Sequence, residues 1–183
     1  MKATGIVRRI DELGRIVVPK EIRRVLKIRE GDPIEIYTES DKEIVLKKYS
    51  PIGELKEFAK EYAESIARIG GYKAVITDRD QVISVSGGIN REYEGKNLSK
   101  DIELIMDDRE AVVQGGSKGN IEIIKNDEYG NWGKIVQPIT CDGDVIGSVV
   151  IMGKEKNTVI GEAEQKMAGV AAIFLGKQME SSK

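Results

Sequence analysis

The sequence predicts two folded units of different class. Residues 1–50 read as a small, mostly β unit with one short helix, built to pair with a second copy. Residues 51–183 read as an α+β domain. Three observations lead there. The 183 residues are 40% apolar and 33% charged, an ordinary folded composition with room for two small domains. Residues 1–48 hold twelve Lys or Arg against nine Asp or Glu (net +3), and the rest hold seventeen against twenty-two (net −5), which together give the chain's −2. The first unit consists of short alternating runs, whereas the second opens on a long helical pattern behind Pro51.

In the first unit, residues 4–10 and 15–18 read as strands, separated by the turn-forming Asp11-Glu12-Leu13-Gly14. Pro19 stands where a helix can start, because its missing N–H is not needed there. Residues 20–27 form that helix, with Ile22, Val25 and Leu26 on one face and Arg23 and Arg24 directed away from it. Glu30 to Pro33 turn the chain. Residues 34–37 and 43–47 alternate as a hairpin across Glu39 to Lys42. Four short strands bury too little apolar surface to be safely stable alone. With no disulfide and no metal available, dimerisation is the remaining remedy, and an interleaved dimer would bury the most.

The second unit opens on a helix over residues 51–69, with Ser50 as N-cap and Gly70-Gly71 as the C-cap signal. Ile52, Leu55, Ala59, Tyr62, Ile66 and Ile69 step by 3 and 4 along it, the seam spacing that packs helices side by side. The seam predicts self-association, and a tetramer for the full chain; a helix lying on its own sheet would use the same residues. Strands are expected at 73–77, 81–86 and 121–125, with a helical connection over 98–114. Residues 134–140 and 145–152 form the clearest hairpin, turning on Asp142-Gly143. A last helix covers 161–180. The first and last helices can share one face of a five-stranded sheet.

Composition weighs against an enzyme. There is no histidine and one cysteine, Cys141. Cys–His and Ser–His nucleophile systems are therefore unavailable, and so are Cys-cluster metal sites; no metal and no known cofactor are expected. Cys141 falls in a predicted turn as an inert, partly exposed thiol. No run approaches the length needed to span a bilayer, so no membrane partner is expected and the reading is cytoplasmic.

The first unit carries the chemistry. Residues 1–30 hold nine basic side chains against four acidic ones. DNA binding needs such cations in register with phosphates, and arginine's planar fork also matches guanine. The order Thr4-Gly5-Ile6-Val7-Arg8-Arg9-Ile10-Asp11-Glu12-Leu13-Gly14-Arg15-Ile16-Val17-Val18-Pro19-Lys20-Glu21-Ile22-Arg23-Arg24, followed by Ile28 to Ile36, closely resembles the AbrB-type swapped-hairpin family. The resemblance covers residues 1–50. It implies a swapped-hairpin β-barrel, an interleaved dimer, and a transcriptional regulator that binds double-stranded DNA. It assigns the DNA contacts to Arg8, Arg15, Arg23 and Arg24. Lys2, Arg9, Lys20 and Lys47 are candidate phosphate contacts. The same family contains antitoxins, so an antitoxin-like module that binds DNA and a protein is the alternative reading.

The second unit resembles a GAF domain through its element order and its closing segment, Val136 to Thr140 and Gly143 to Ile151. That resemblance implies assembly and, in principle, an unidentified small-molecule effector. Tyr93, Tyr129 and Trp132 lie in or near the long connections and are candidates to line a pocket.

Overall fold

A computed structural model describes residues 5–39, 43–54, 56–115 and 119–181. The chain divides into two compact units, Met1–Tyr49 and Ser50–Lys183.

In the first unit the helix is α1 (Lys20–Val25), followed by the hairpin β1 (Ile34–Glu39) and β2 (Glu43–Lys48). Pro19 precedes α1 and its carbonyl accepts the Arg23 N–H at 2.9 Å. The helix closes where Lys27 takes a left-handed φ of 52° and the Ile28 N–H reaches back to the Arg23 carbonyl at 2.8 Å, a terminating pattern that satisfies carbonyls the helix cannot. β1 and β2 pair antiparallel from Ile34 opposite Lys48 to Glu39 opposite Glu43. Lys48 fastens their open end: its Nζ lies 3.0 Å from Asp32 Oδ2 and donates to the Lys27 carbonyl at 3.1 Å.

The expected strands at 4–10 and 15–18 are not formed among the described residues; Thr4 lies outside them. Residues 5–19 form no ladder. A strand needs a neighbour for its backbone groups, and the backbone bonds from the Asp11 N–H to the Arg15 carbonyl and from the Gly14 N–H to the Asp11 carbonyl, both 3.0 Å, close the turn without building a ladder. No described residue of this unit is buried within the single chain. Val7, Leu13, Val17 and Val25 are 72–84% exposed.

The second unit begins with α2 (Pro51–Glu54) and α3 (Lys56–Gly70); Leu55 lies outside the described residues. Ser50 caps it, accepting the Gly53 N–H at 3.1 Å and donating to Asp78 Oδ2 at 2.7 Å. Gly71, at φ 66°, ends α3 with an N–H bond to the Ala67 carbonyl at 2.8 Å. Then follow β3 (Lys73–Asp78), β4 (Val82–Ser86), α4 (Lys100–Asp108), β5 (Val112–Gln114), β6 (Lys134–Cys141), β7 (Asp144–Met152) and α5 (Glu162–Ser181). The five strands form an antiparallel sheet in the order β4-β3-β7-β6-β5.

One face of the sheet, through Ile76, Ile139, Val149 and Ile151, packs against Ala59, Ala63 and Ile66 of α3 and Ala168, Ala171 and Leu175 of α5. Gly176 permits this approach, since a Cβ there would stand 2.2 Å from the Thr140 carbonyl oxygen. The other face, through Val75, Val136 and Val150, packs against α4 and the long connections. The β6–β7 hairpin turns on Asp142 and Gly143 at φ 50° and 84°, the mirror-image turn that the Asp-Gly pair predicts.

Two elements differ from expectation. The helical stretch expected at 98–114 stops at Asp108, and Val112–Gln114 becomes the fifth strand. The strand expected at 121–125 is reduced to one bridge between Leu98 and Ile124. Side chains take over its backbone groups. Gln114 Oε1 accepts the Ile121 N–H, Asp101 the Glu122 N–H and Asp127 the Ile123 N–H, at 2.7, 3.0 and 2.8 Å. Lys134 Nζ donates to the Ile121 carbonyl at 2.5 Å, and Ser99 Oγ donates to the Glu122 carbonyl. Cys141 is also corrected: it closes β6 and is 7% exposed.

Candidate nucleic-acid interface

The basic side chains of the first unit stand on three elements. Arg8 and Arg9 are exposed in the extended segment before the turn, and Arg8 Nη1 donates to the Val7 carbonyl at 3.1 Å. Arg15 is exposed just beyond the turn. Arg23 and Arg24 occupy the last turn of α1, Arg23 half-buried and Arg24 exposed. Lys20 opens α1. Lys47, on β2, holds its Nζ 4.5 Å from the centre of the Tyr37 ring. Lys2 lies outside the described residues.

Arg15 is held by Asp11, a residue that sequence reading took only for a turn former. Arg15 Nε lies 2.7 Å from Asp11 Oδ2, and the Arg15 N–H donates to Asp11 Oδ1 at 2.8 Å. The Leu13 N–H shares that oxygen at 3.0 Å. These bonds, the Arg15 backbone N–H first and its guanidinium second, hold the Asp11 carboxyl below its ordinary pKa. The side chain thus ties the turn's backbone and one guanidinium into a single piece. The aspartate four residues before the arginine, with Gly14 between them at φ 76°, was the available signal.

The candidates in the second unit fall differently. Of the expected seam, Ile52 of α2 and Ala59 and Ile66 of α3 are 0–2% exposed and belong to the domain's own core. The seam as a whole is therefore not an interchain one. Tyr62 is half-buried, its ring 5.4 Å from that of Phe174, and Ile69 is 81% exposed. Phe58 of α3 and Val170 and Ile173 of α5 are also exposed. Tyr93 and Tyr129 are buried in the core on the opposite face, with Trp132 packed against it. Tyr129 and Trp132 meet edge to face at 5.2 Å, and Lys73 Nζ stands 5.6 and 5.2 Å from their ring centres. Tyr93 OH donates to Asp127 at 2.9 Å, and burial first, then that carboxylate, hold the phenol well above its usual range. These aromatics are packed against one another and line neither of the two recesses that Lys56, Arg91 and Glu94 border.

Lys134 was not anticipated. It is fully buried, and its Nζ donates to the carbonyls of Ile121, Tyr129 and Gly130 at 2.5, 2.7 and 3.1 Å. Burial pushes it down to about 8, against the pull of Asp127, Asp101 and Glu122.

Residues 54–180 match the family model described as stage V sporulation protein T C-terminal, transcription factor. Residues 7–54 match that described as antidote-toxin recognition MazE, bacterial antitoxin. The chain is 48% identical to stage V sporulation protein T of Bacillus subtilis (strain 168) over 180 residues, 98% of this chain and 99% of that protein. It is 44% identical over 86 residues to the transition state regulatory protein AbrB of the same organism, 46% of this chain and 88% of that one. A GAF domain from a phosphoenolpyruvate-protein phosphotransferase of Coxiella burnetii superposes with a TM-score of 0.56 at 16% identity, over 70% of this chain and 83% of that one. At that identity the likeness is one of fold. No helix among the described residues is long and apolar enough to cross a membrane.

Proposed function

The chain belongs to the stage V sporulation protein T family of transcription factors, and from that premise we propose how it engages DNA. It is a DNA-binding transcriptional regulator. Two copies of residues 1–50 interleave into one swapped-hairpin barrel, and Arg8, Arg15, Arg23 and Arg24 of both copies form a single cationic face on double-stranded DNA. Arg9, Lys20 and Lys47, with Lys2 beyond the described residues, add phosphate contacts. Its targets are late sporulation genes of the forespore, and it works in the cytoplasm.

One observation carries the dimer: among its described residues the first unit has none buried within the single chain, while Val7, Leu13, Val17 and Val25 lie open. Apolar surface on that scale in a unit this small needs a partner. Interleaving supplies one and gives residues 5–10 and 15–18 strands to pair with. The exposed Phe58, Ile69 and Ile173 of α3 and α5, with the half-buried Tyr62, then join two dimers into a tetramer. The deciding experiment is a gel shift on a promoter fragment with Arg23→Ala and Arg24→Ala, whose loss of affinity is expected with the dimer intact; unchanged affinity overturns the assignment.

The antitoxin-like reading draws on the match of residues 7–54. A complete folded domain behind that segment, in place of a short tail, weighs against it.

A further inference from the structure

One edge of the five-stranded sheet carries a polar groove. β4 is the strand at that edge. Beside it a recess of about 210 Å³ lies between α3 and the short helical turn Arg91–Tyr93, and a second of about 490 Å³ adjoins it. Lys56, Lys60 and Glu64 line the first, spaced four apart and so on one face of α3. Arg91 and Glu94 line it too, and with Lys56 they border both recesses. Glu57 of α3 and Ser84 and Val85 of β4 complete the lining.

Two features separate this groove from ordinary charged surface. Ser84 is 1% exposed, and among the described residues its Oγ is the one buried side-chain polar atom without a hydrogen-bond partner. A native fold rarely leaves such a group unmet without a reason. Further, the first recess is lined by six charged side chains, Lys56, Lys60 and Arg91 against Glu57, Glu64 and Glu94, yet none of them is in an ion pair among the described residues. Equal numbers of cations and carboxylates around one recess complement a molecule that itself carries both charges, and Lys60 and Glu64 stand one helical turn apart on α3. The first recess is smaller than the roughly 300–1,000 Å³ of sites for drug-sized ligands.

We propose that this groove binds a small zwitterion of α-amino-acid size. Lys56, Lys60 and Arg91 hold its carboxylate, Glu64 receives its ammonium, and a polar group of the ligand meets Ser84 Oγ. The site lies within the second unit and uses none of the arginines assigned to DNA, so its test needs no DNA and fails or succeeds independently of the DNA-binding assignment.

The test is calorimetric titration of the full-length chain with each common L-α-amino acid. At least one is expected to saturate at one per chain, with affinity lowered roughly tenfold or more by Lys60→Glu and retained by Lys60→Arg. The matching amide and the matching deaminated acid should each bind more weakly than the amino acid. Ser84→Ala should lower affinity several-fold without lowering the melting midpoint of the unliganded protein, because the hydroxyl it removes has no partner. Absence of any saturable heat overturns the proposal. So does binding that is indifferent to both Lys60→Glu and Ser84→Ala, which places the ligand elsewhere. Equal affinity for the deaminated acid overturns it as well, by reducing the groove to an anion site.

Discussion

Arg15 is gripped twice by Asp11, through its guanidinium at 2.7 Å and its backbone N–H at 2.8 Å. An acidic residue beside DNA ordinarily repels phosphate; here it fixes the direction of a cation. Arg15→Ala should weaken binding to a promoter fragment by about 1–3 kcal/mol. Asp11→Ala should weaken it too, and the two losses should fall short of additive in a double-mutant cycle. Tighter binding by Asp11→Ala would show the pair to be a competitor for phosphate instead.

Salt should act strongly. For on the order of eight phosphate contacts per dimer, log K is expected to fall against log salt with a slope of about −7. Measured by fluorescence anisotropy, a slope near zero would remove the arginine face from the interface.

A first unit without its own core should not fold alone. Residues 1–50, expressed separately, are expected to sediment as a dimer and to melt at a midpoint that rises with concentration. A folded monomer with a concentration-independent midpoint would contradict the interleaved barrel.

The full chain should scatter light as a tetramer. Ile173→Asp, at a position 63% exposed, should leave a dimer with its secondary structure intact, since no core contact is lost. A wild-type dimer would exclude assembly through α3 and α5.

Lys134→Met removes the donor from three carbonyls and should destabilise the second unit by on the order of 3 kcal/mol, read by thermal unfolding. The pH dependence has a definite sign. The ammonium ionises at about 8 in the fold against an ordinary 10.5. Between those values the unfolded chain binds more protons, so this group's contribution to stability rises with pH. The gap between wild type and Lys134→Met should widen from about pH 8 to pH 10.5; a constant gap would place the ammonium's ionisation outside that window.

What the sequence could disclose depended on how local the cause was. The β6–β7 hairpin was legible because Asp142-Gly143 carries its own backbone preference. The start of α1 and the end of α3 were legible for the same reason, from Pro19 and from Gly70-Gly71, while α1 stops at Val25, two residues short of the expected 27. Residues 121–125 misled because Ile121, Ile123 and Ile124 look strand-like, whereas their backbone partners are side chains of Gln114, Asp127 and Lys134, which no local pattern encodes. The α3 seam showed that one face is covered and was silent on what covers it; Ile52, Ala59 and Ile66 meet their own sheet. The strands expected before Pro19 are missing for another reason, since a single chain offers them no neighbour. Arg8, Arg15, Arg23 and Arg24 could be named from residue order, but the grip of Asp11 on Arg15 could be seen only once the turn had closed.

The lack of buried side chains in the first unit bears on timing. If that unit gains its interior only from a second copy, folding and pairing are one event, second order in chain number. A newly made chain cannot read a promoter until it meets another, and at low abundance halving the supply cuts the amount of competent dimer to about a quarter. Such a regulator would respond to its own expression as a threshold, staying silent while copies are scarce and engaging abruptly as they accumulate, before any effector is considered.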